Sequence, residues 1–447
     1  MTSHLLAVVK HSGAPQSIRL QAARILDDVL IIVPRNLSTT GDLQPKVQRR
    51  VLDVLAQQVI TNDGALGNST TVEVKRMGLE TLHQILQASG HTLVVGWETI
   101  FEILGSVCKP AAPASVSASD PATAPRRPPP LGYANEKSYS ALVKIAFQSL
   151  TLVCDSLSAL SPEHLRLCIT TLGQFGRQAD TNIALTAAES LLWGVSDSIQ
   201  AKRKDTENEP EYSALWMFLL LEILGLCTDA RPEVRVGAIQ TLFRTLQLYG
   251  ATLSLATWDE CVWKVTFPLL DSITQSIRQA SKAPAEDEAT ANLQWDESKI
   301  LALQSVGSIF QDFFTSKIMH LETFEKAWGT FVGHIEDSWL NDNRSISAPA
   351  LRCLDKAVKA VASADEDLHA RASDALEVAW QACDRMGGAV LEKDSDLPSK
   401  PFTQESLMTF VEVIRSTRSA HKEFEKKEWT LERIIRLVAV LKGKKIR

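Results

Sequence analysis

The stretch RPEVRVGAIQTLFRTLQLYGATLSLATWDECVWKVTFPLLD, residues 231–271, decides the fold. Asp229 and Pro232 suit the start of a helix, because proline supplies the φ of a first turn and its missing N–H costs nothing there. Val234, Ala238, Leu242 and Leu246 then share one stripe, flanked by Ile239, Phe243 and Tyr249, while Arg235, Gln240, Arg244 and Gln247 are placed on the other side. Gly250 is expected as the left-handed residue that closes the helix. A second helix is predicted from Thr257, with Glu260 completing a capping box, through Trp258, Cys261, Val262, Val265 and Leu269. The pattern is an αα-hairpin.

The hairpin has an echo. VEVKRMGLETLHQILQASGHTLVVGW, residues 72–97, matches it at one constant offset: Val74 falls on Val234, Lys75 on Arg235, Leu82 on Leu242, Leu86 on Leu246 and Gly90 on Gly250. Trp97 and Trp258 agree after a one-residue slip. A recurring helix–Gly–loop–Trp–helix unit marks a repeat architecture, in which stacked hairpins bury faces that none buries alone. Gly90, Trp97, Gly250 and Trp258 are its structural markers. The predicted class is all-α, an α-solenoid of HEAT- or armadillo-like hairpins.

Working outward, residues 1–108 read as N-terminal repeats, with a helix stopped by Pro34 and another started by Pro45. Residues 109–135 hold seven of the eighteen prolines with many Ala and Ser, a composition that builds no core and reads as a linker. Central repeats occupy 136–280, with Ser161-Pro162-Glu163 as a further helix start. An acidic loop is placed at 281–292. Four helices follow over 293–388, ending at Gly387–Gly388, and a helical pair with a basic tail fills 389–447. No segment alternates as a strand does.

Composition narrows the function classes. A hydrophobic content of 45% supports a continuous core, and a net charge of −6 gives no global attraction to nucleic acid. The seven cysteines lie singly in apolar helices without CxxC spacing and read as buried, reduced thiols. The most apolar window, 215–227, is interrupted by Glu222 and is too short for a bilayer, so a soluble protein is expected. There is no phosphate-binding glycine loop, no HExxH and no GxSxG. The nine histidines are dispersed, and Glu286, Asp287 and Glu288 are adjacent acids lacking other ligands. Neither a catalytic group, a cofactor nor a metal is assigned. Trp97, Trp258, Trp263, Trp328, Trp339 and Trp380 read as wedges between hairpins.

Two surfaces remain as contact candidates. The polar ridge Arg231, Glu233, Arg235 and Arg244 offers Arg231 and Arg235 at i and i+4, a spacing that suits an acidic partner or an intramolecular pair. The C-terminal helix places Leu431, Ile434, Ile435, Val438 and Leu441 on one stripe ahead of Lys442, Lys444, Lys445 and Arg447. That suits a membrane, an acidic partner, or a last repeat helix with a charged end.

The run from Arg231 to Asp271, with Arg231, Pro232, Val234, Arg235, Ala238, Thr241, Leu242, Phe243, Gly250, Trp258, Trp263, Lys264, Phe267, Pro268, Leu270 and Asp271, resembles the helical repeats downstream of the catalytic domain in large Arf guanine-nucleotide exchange factors. It is closer to their Golgi relatives lacking that domain, the Mon-two (Ysl) trafficking family. SIRLQAARILDDVLIIVPRNL, residues 17–37, is similar to that family too. The resemblance implies a middle or C-terminal piece of a longer chain and a cytoplasmic protein peripheral to Golgi and endosome membranes. It implies a scaffold for Dopey-family proteins, with links to Arf-like small GTPases and a phospholipid flippase, and no exchange domain. A nuclear-transport or other HEAT adaptor, and an Arf exchange regulator, are the alternatives.

Overall fold

The computed structural model describes residues 1–36, 43–60, 69–108, 133–203, 209–280, 288–391, 403–425 and 430–442. Among these residues all regular structure is helical and there is no strand. The chain divides into two compact units, Met1–Glu222 and Ile223–Arg447.

The first unit holds α1 (Thr2–Lys10), α2 (Gln16–Asn36), α3 (Gln44–Val59), α4 (Ser69–Ser89), α5 (Trp97–Gly105), α6 (Tyr133–Cys154) and α7 (Pro162–Gly176). Next, α8 (Thr181–Thr186) passes through a π turn (Ala187–Leu191) into α9 (Leu192–Arg203), and α10 (Glu209–Leu226) contains the division between units. The even helices α2, α4 and α6 pack side by side, and so do the odd ones α3, α5 and α7. Each hairpin therefore lies against the next, which is the two-layer stack that the repeat requires. The helix starts follow local chemistry. Ser161 Oγ accepts from the His164 N–H at 3.3 Å, with Pro162 in the first turn, and Asp180 Oδ1 accepts from the Asn182 and Ile183 N–H groups.

The second unit repeats the design with α11 (Pro232–Tyr249), α12 (Leu255–Glu260) running through a π turn (Cys261–Thr266) into α13 (Phe267–Ala280), α14 (Glu288–Phe313), α15 (Phe324–Asn341), α16 (Arg344–Val361), α17 (His369–Leu391), α18 (Gln404–Glu425) and α19 (Leu431–Lys442). One layer is α11, α14, α16 and α18, and α15, α17 and α19 form the other. Aromatic rings fill the space between: Phe310 stacks on Phe331 at 4.3 Å between centroids, and Trp328 meets Phe314 edge-on at 5.3 Å. Trp328 Nε1 also donates to Ala375 O at 2.8 Å, tying α15 to α17. Such buried rings combine a large apolar area with one satisfied polar atom. No helix among the described residues is long and apolar enough to cross a membrane.

Several boundaries differ from the sequence reading. α2 continues past Pro34 to Asn36, α6 begins at Tyr133 inside the expected linker, and α14 begins at Glu288 inside the expected acidic loop. α17 runs through Gly387–Gly388 to Leu391, since a glycine costs a helix only about 1 kcal/mol and Met386 and Gly387 are buried against neighbours. The second helix of the central hairpin starts at Leu255, not Thr257: Ser254 Oγ caps it by accepting from the Thr257 N–H at 3.2 Å. Its π turn lies immediately before Phe267-Pro268. Widening the helix there relieves the clash a proline ring makes with the preceding turn.

Candidate functional site

In the central hairpin Arg235 is fully buried. Its Nε donates to Ser298 Oγ at 2.7 Å, Nη1 to the carbonyls of Asp229 (2.7 Å) and Ala230 (3.2 Å), and Nη2 to Gln294 O at 3.3 Å. The guanidinium lies 3.8 Å from the centre of the Trp295 ring. One side chain thus holds the start of α11 to the N-terminal half of α14, using the fork of donors that only arginine has. Burial lowers its pKa, and the negative charges of Asp229 and Glu233 oppose that shift. Beside it, Arg231 makes a two-pronged pair with Asp229, with both contacts at 2.9 Å. Burial alone would raise the Asp229 carboxyl, but hydrogen bonds from Arg231, with the charge of Arg235, hold it below the usual range.

The proposed ridge is therefore corrected. Arg235 does not face solvent, because its long stem turns it into the groove between α11 and α14. Arg231 is half-buried on Asp229, while Glu233 and Arg244 are exposed. The four residues do not make one contact surface.

The same register recurs in a way the sequence reading missed. Val234-Arg235 followed by Ala238 has counterparts in Ile18-Arg19 with Ala22, Ser298-Lys299 with Ala302, and Ile346-Ser347 with Ala350. Arg19 Nε donates to Val9 O at 2.9 Å. Lys299 forms a buried ion pair with Asp342, just ahead of α16. Close by, Asp296 Oδ2 accepts from Asn343 Nδ2 at 2.8 Å; burial first, and then the charge of Asp342, raise its pKa. In α16 the basic residue is replaced by Ser347, whose buried Oγ has no hydrogen-bond partner among the described residues. The available signal was a basic residue one place after an apolar or small one and three before alanine. On a helical wheel it looks like an edge position.

Gly250 and Trp258 touch. Trp258 Nε1 donates to Gly250 O at 2.8 Å, and the indole packs on Phe313 at 5.0 Å between centroids. Gly250 has φ −57°, so the expected left-handed cap is not found. What requires glycine is closeness: a Cβ there would sit 2.7 Å from Trp258 Cζ2. Gly90 has nothing within 4 Å of such an atom, so the two glycine markers are not equivalent. In the first copy the left-handed residue is Gly96, at φ 89°, directly before the buried Trp97. Trp328, Trp339 and Trp380 are buried too, whereas Trp263 is half-exposed and donates to Thr323 Oγ1 at 2.9 Å.

Lys442 ends α19, and Lys444, Lys445 and Arg447 lie outside the described residues. So do Glu286 and Asp287. No group of acids, histidines and cysteines with metal-binding geometry occurs among the described residues. None of the seven cysteines is in a disulfide, and burial pushes the thiols of Cys108, Cys261 and Cys383 up to about 12, where a reactive thiolate is scarce at neutral pH.

Stacked hairpins with an internal polar register define a helical-repeat protein of the HEAT-like class. A family model described as the C-terminal region of Mon2 protein matches residues 154–415, and one described as Mon2/Sec7/BIG1-like HDS matches 46–119. The first covers more than half of the chain, and the chain belongs to the Mon2 family. It is 31% identical over 382 residues to the Protein MON2 homolog of Drosophila melanogaster, covering 79% of this chain and 20% of that protein. It is 27% identical over 401 residues to the Protein MON2 homolog of Homo sapiens, covering 81% of this chain and 21% of that protein. The Brefeldin A-inhibited guanine nucleotide-exchange protein 2 of Arabidopsis thaliana is 32% identical over 110 residues, 23% of this chain and 6% of that protein. The chain spans about a fifth of the length of the curated Mon2 relatives it matches.

Proposed function

We propose that the chain is part of a non-catalytic scaffold in Golgi and endosome vesicle trafficking, peripheral to the membrane on its cytoplasmic side. The observation that carries this is the Mon2-family match, which runs along most of the second unit's stack. In that stack the buried charges are used between neighbouring hairpins: Arg235 and Lys299 tie one repeat to the next. The outer faces of the helices are then what remains to hold partners. On this reading the mechanism is positional. Rigid hairpins set the distance between bound proteins, and no bond is made or broken. By family kinship the partners we propose are a Dopey-family protein and an Arf-like small GTPase, with a link to a phospholipid flippase.

The test is a pull-down with the whole chain. Recovery of a Dopey-type protein or an Arf-like GTPase is expected, and failure to recover either counts against the reading. Kinship with a protein named as a guanine nucleotide-exchange protein supports a second reading, regulation of Arf-family exchange. A nucleotide-release assay separates the two, because acceleration by this chain alone would overturn the non-catalytic role. Concentration of a tagged chain at the nuclear rim would favour a nuclear-transport adaptor instead.

A further inference from the structure

The inward face of α2 breaks its apolar pattern once. Ala23, Leu26 and Leu30 are buried there, and so is Asp27, at 7% exposure, where helical spacing calls for an apolar side chain. Asp27 Oδ1 accepts from Gln58 Nε2 of α3 at 3.2 Å, and the Thr81 hydroxyl of α4 bonds the same carboxyl. Gln58 Nε2 also donates to Val74 O of α4 at 3.3 Å. A carbonyl only accepts, so that contact fixes which end of the amide is nitrogen. Gln58 Oε1 is then enclosed, with no donor reaching it among the described residues. Nor is the amide free to turn toward water. It is 1% exposed, and α4 comes so close that a Cβ on Gly78 would lie 3.3 Å from Gln58 Cδ. The site has more acceptors than hydrogens, a state that buried oxygens rarely keep. One more proton closes the count, and Asp27 is the group that takes it. A protonated carboxyl has an O–H to donate and an oxygen left to accept.

We propose that the folded chain keeps a proton on Asp27, shared with Gln58 Oε1, and that its loss as pH rises loosens α2 from α3 and α4, so that this seam is a proton-sensitive joint in the first unit. The surroundings favour the neutral form. Asp28 on α2 and Glu80 on α4 act on the carboxyl with negative charge, and α3 meets it with the uncharged Gln58. The cations of the neighbouring helices have other partners. Arg76 pairs with Glu73 and Glu80, the charge of Arg24 acts on Glu73, and Lys10 of α1 reaches Gln57 Oε1 at 3.4 Å. Burial first, and then Asp28 and Glu80, raise the carboxyl from 3.8 to about 7, against the hydrogen bonds from Gln58 and Thr81. Because the folded value lies above the unfolded one, the contact is complete in acid and weakens as pH rises through about 7. When the proton leaves to water, a carboxylate and an undonated amide oxygen are left in one enclosed site. What yields is the seating of α2, and of α1 packed on it, against the next hairpin. The joint goes beyond the trafficking reading and does not depend on it.

Amide hydrogen exchange of the full chain, read by mass spectrometry and corrected for the intrinsic pH dependence of exchange, tests the seam. Opening of the α2 and α4 segments is expected to rise on the order of tenfold between about pH 5.5 and about pH 8. Asp27→Asn keeps an acceptor and supplies a permanent donor, so its protection is expected to stay level over the same range. The infrared difference between wild type and Asp27→Asn at the acid end is expected to show the C=O band of a protonated carboxyl. Level wild-type protection, or the absence of that band, overturns the proposal. So does a pH dependence that Asp27→Asn shares, which would assign it to other groups such as His83 of α4. Should Asp27→Asn fail to fold, the wild-type exchange profile, level or falling, still decides.

Discussion

Alanine at Gly250 would place a methyl carbon 2.7 Å from Trp258 Cζ2 and 3.0 Å from Phe313 Cζ. Carbon atoms pack at about 3.5–4.0 Å, so each contact is short by roughly half an ångström or more. Neither ring has room to retreat. Trp258 is buried, is held by its hydrogen bond to Gly250 O, and packs on Phe313, which is itself buried. Overpacking of this kind costs about 1–3 kcal/mol. The same substitution at Gly90, the equivalent position of the other copy, meets nothing within 4 Å and needs no left-handed backbone. There the loss of glycine's freedom in the unfolded chain should stabilise by about 0.4–1 kcal/mol. The two glycines lie in different units, so calorimetry of the intact chain reads both. For domains of this size about 2–4 °C corresponds to 1 kcal/mol. Gly250→Ala is expected to lower the midpoint of its transition by about 2–12 °C, and Gly90→Ala to raise its own by about 1–4 °C. Equal signs at the two sites, or a neutral Gly250→Ala, would refute the close-approach argument.

Arg235→Ala strips donors from Ser298 and three carbonyls in a closed site and is expected to cost about 3–5 kcal/mol in urea unfolding, with Arg235→Lys recovering only part; unchanged stability with a lost partner would return Arg235 to the surface. Trp258→Ala is expected to cost about 3–5 kcal/mol, and a loss below about 0.5 kcal/mol would contradict its burial. Asp27, buried in α2 and accepting from Gln58 Nε2 at 3.2 Å, is raised from 3.8 to about 7, first by burial and further by Asp28 and Glu80, against hydrogen bonds from Gln58 and Thr81. Because the folded value lies above the unfolded one, its contribution is complete below about pH 4 and is lost as pH rises through about 7. Asp27→Asn should therefore stabilise the first unit above pH 7, by roughly 4 kcal/mol at most, and flatten its stability between those limits; a variant with the wild-type pH dependence would falsify this. Ser347→Ala removes a buried hydroxyl that has no partner and is expected to be neutral or stabilising in the same urea assay; a loss above about 1 kcal/mol would mean the hydroxyl is bonded.

The helical class and the hairpin were legible because their signal is local. Val234, Ala238, Leu242 and Leu246 share a face by spacing alone, and Ser161-Pro162 starts a helix through its own side chain. What the pattern did not carry was the environment around each residue. Whether Arg235 points to water depends on α14, which lies tens of residues further along the chain and supplies Ser298, Gln294 and Trp295. Gly250 was read through the commonest reason for a glycine at a helix end, when the operative reason is an indole lying on it. The amphipathic pattern of α19 was visible, but not its direction. Periodicity put Ile434 with Leu431, Ile435 and Val438, whereas Ile434 is half-buried beside Arg433, which reaches Glu377 of α17, and the other three are exposed.

These placements bear jointly on how the chain can act. A charged residue inside a helical stack stabilises only when its partners are fixed, since a buried charge that loses its partner costs several kcal/mol. Arg235 reaches from α11 to α14 and Lys299 from α14 to Asp342 ahead of α16, so each link depends on the spacing of the next hairpin. At Ser347 that register stops. α16 and α18 are tied through other residues, by Ser416 Oγ donating to Asp355 Oδ1 at 2.7 Å and by the exposed pair of Arg352 with Glu405. An exposed ion pair is worth about 0.2–1 kcal/mol, far less than a severed buried one costs. The step to α18 draws on apolar packing as well, with Phe410 of α18 stacked on Trp339 of α15 at 5.6 Å between centroids.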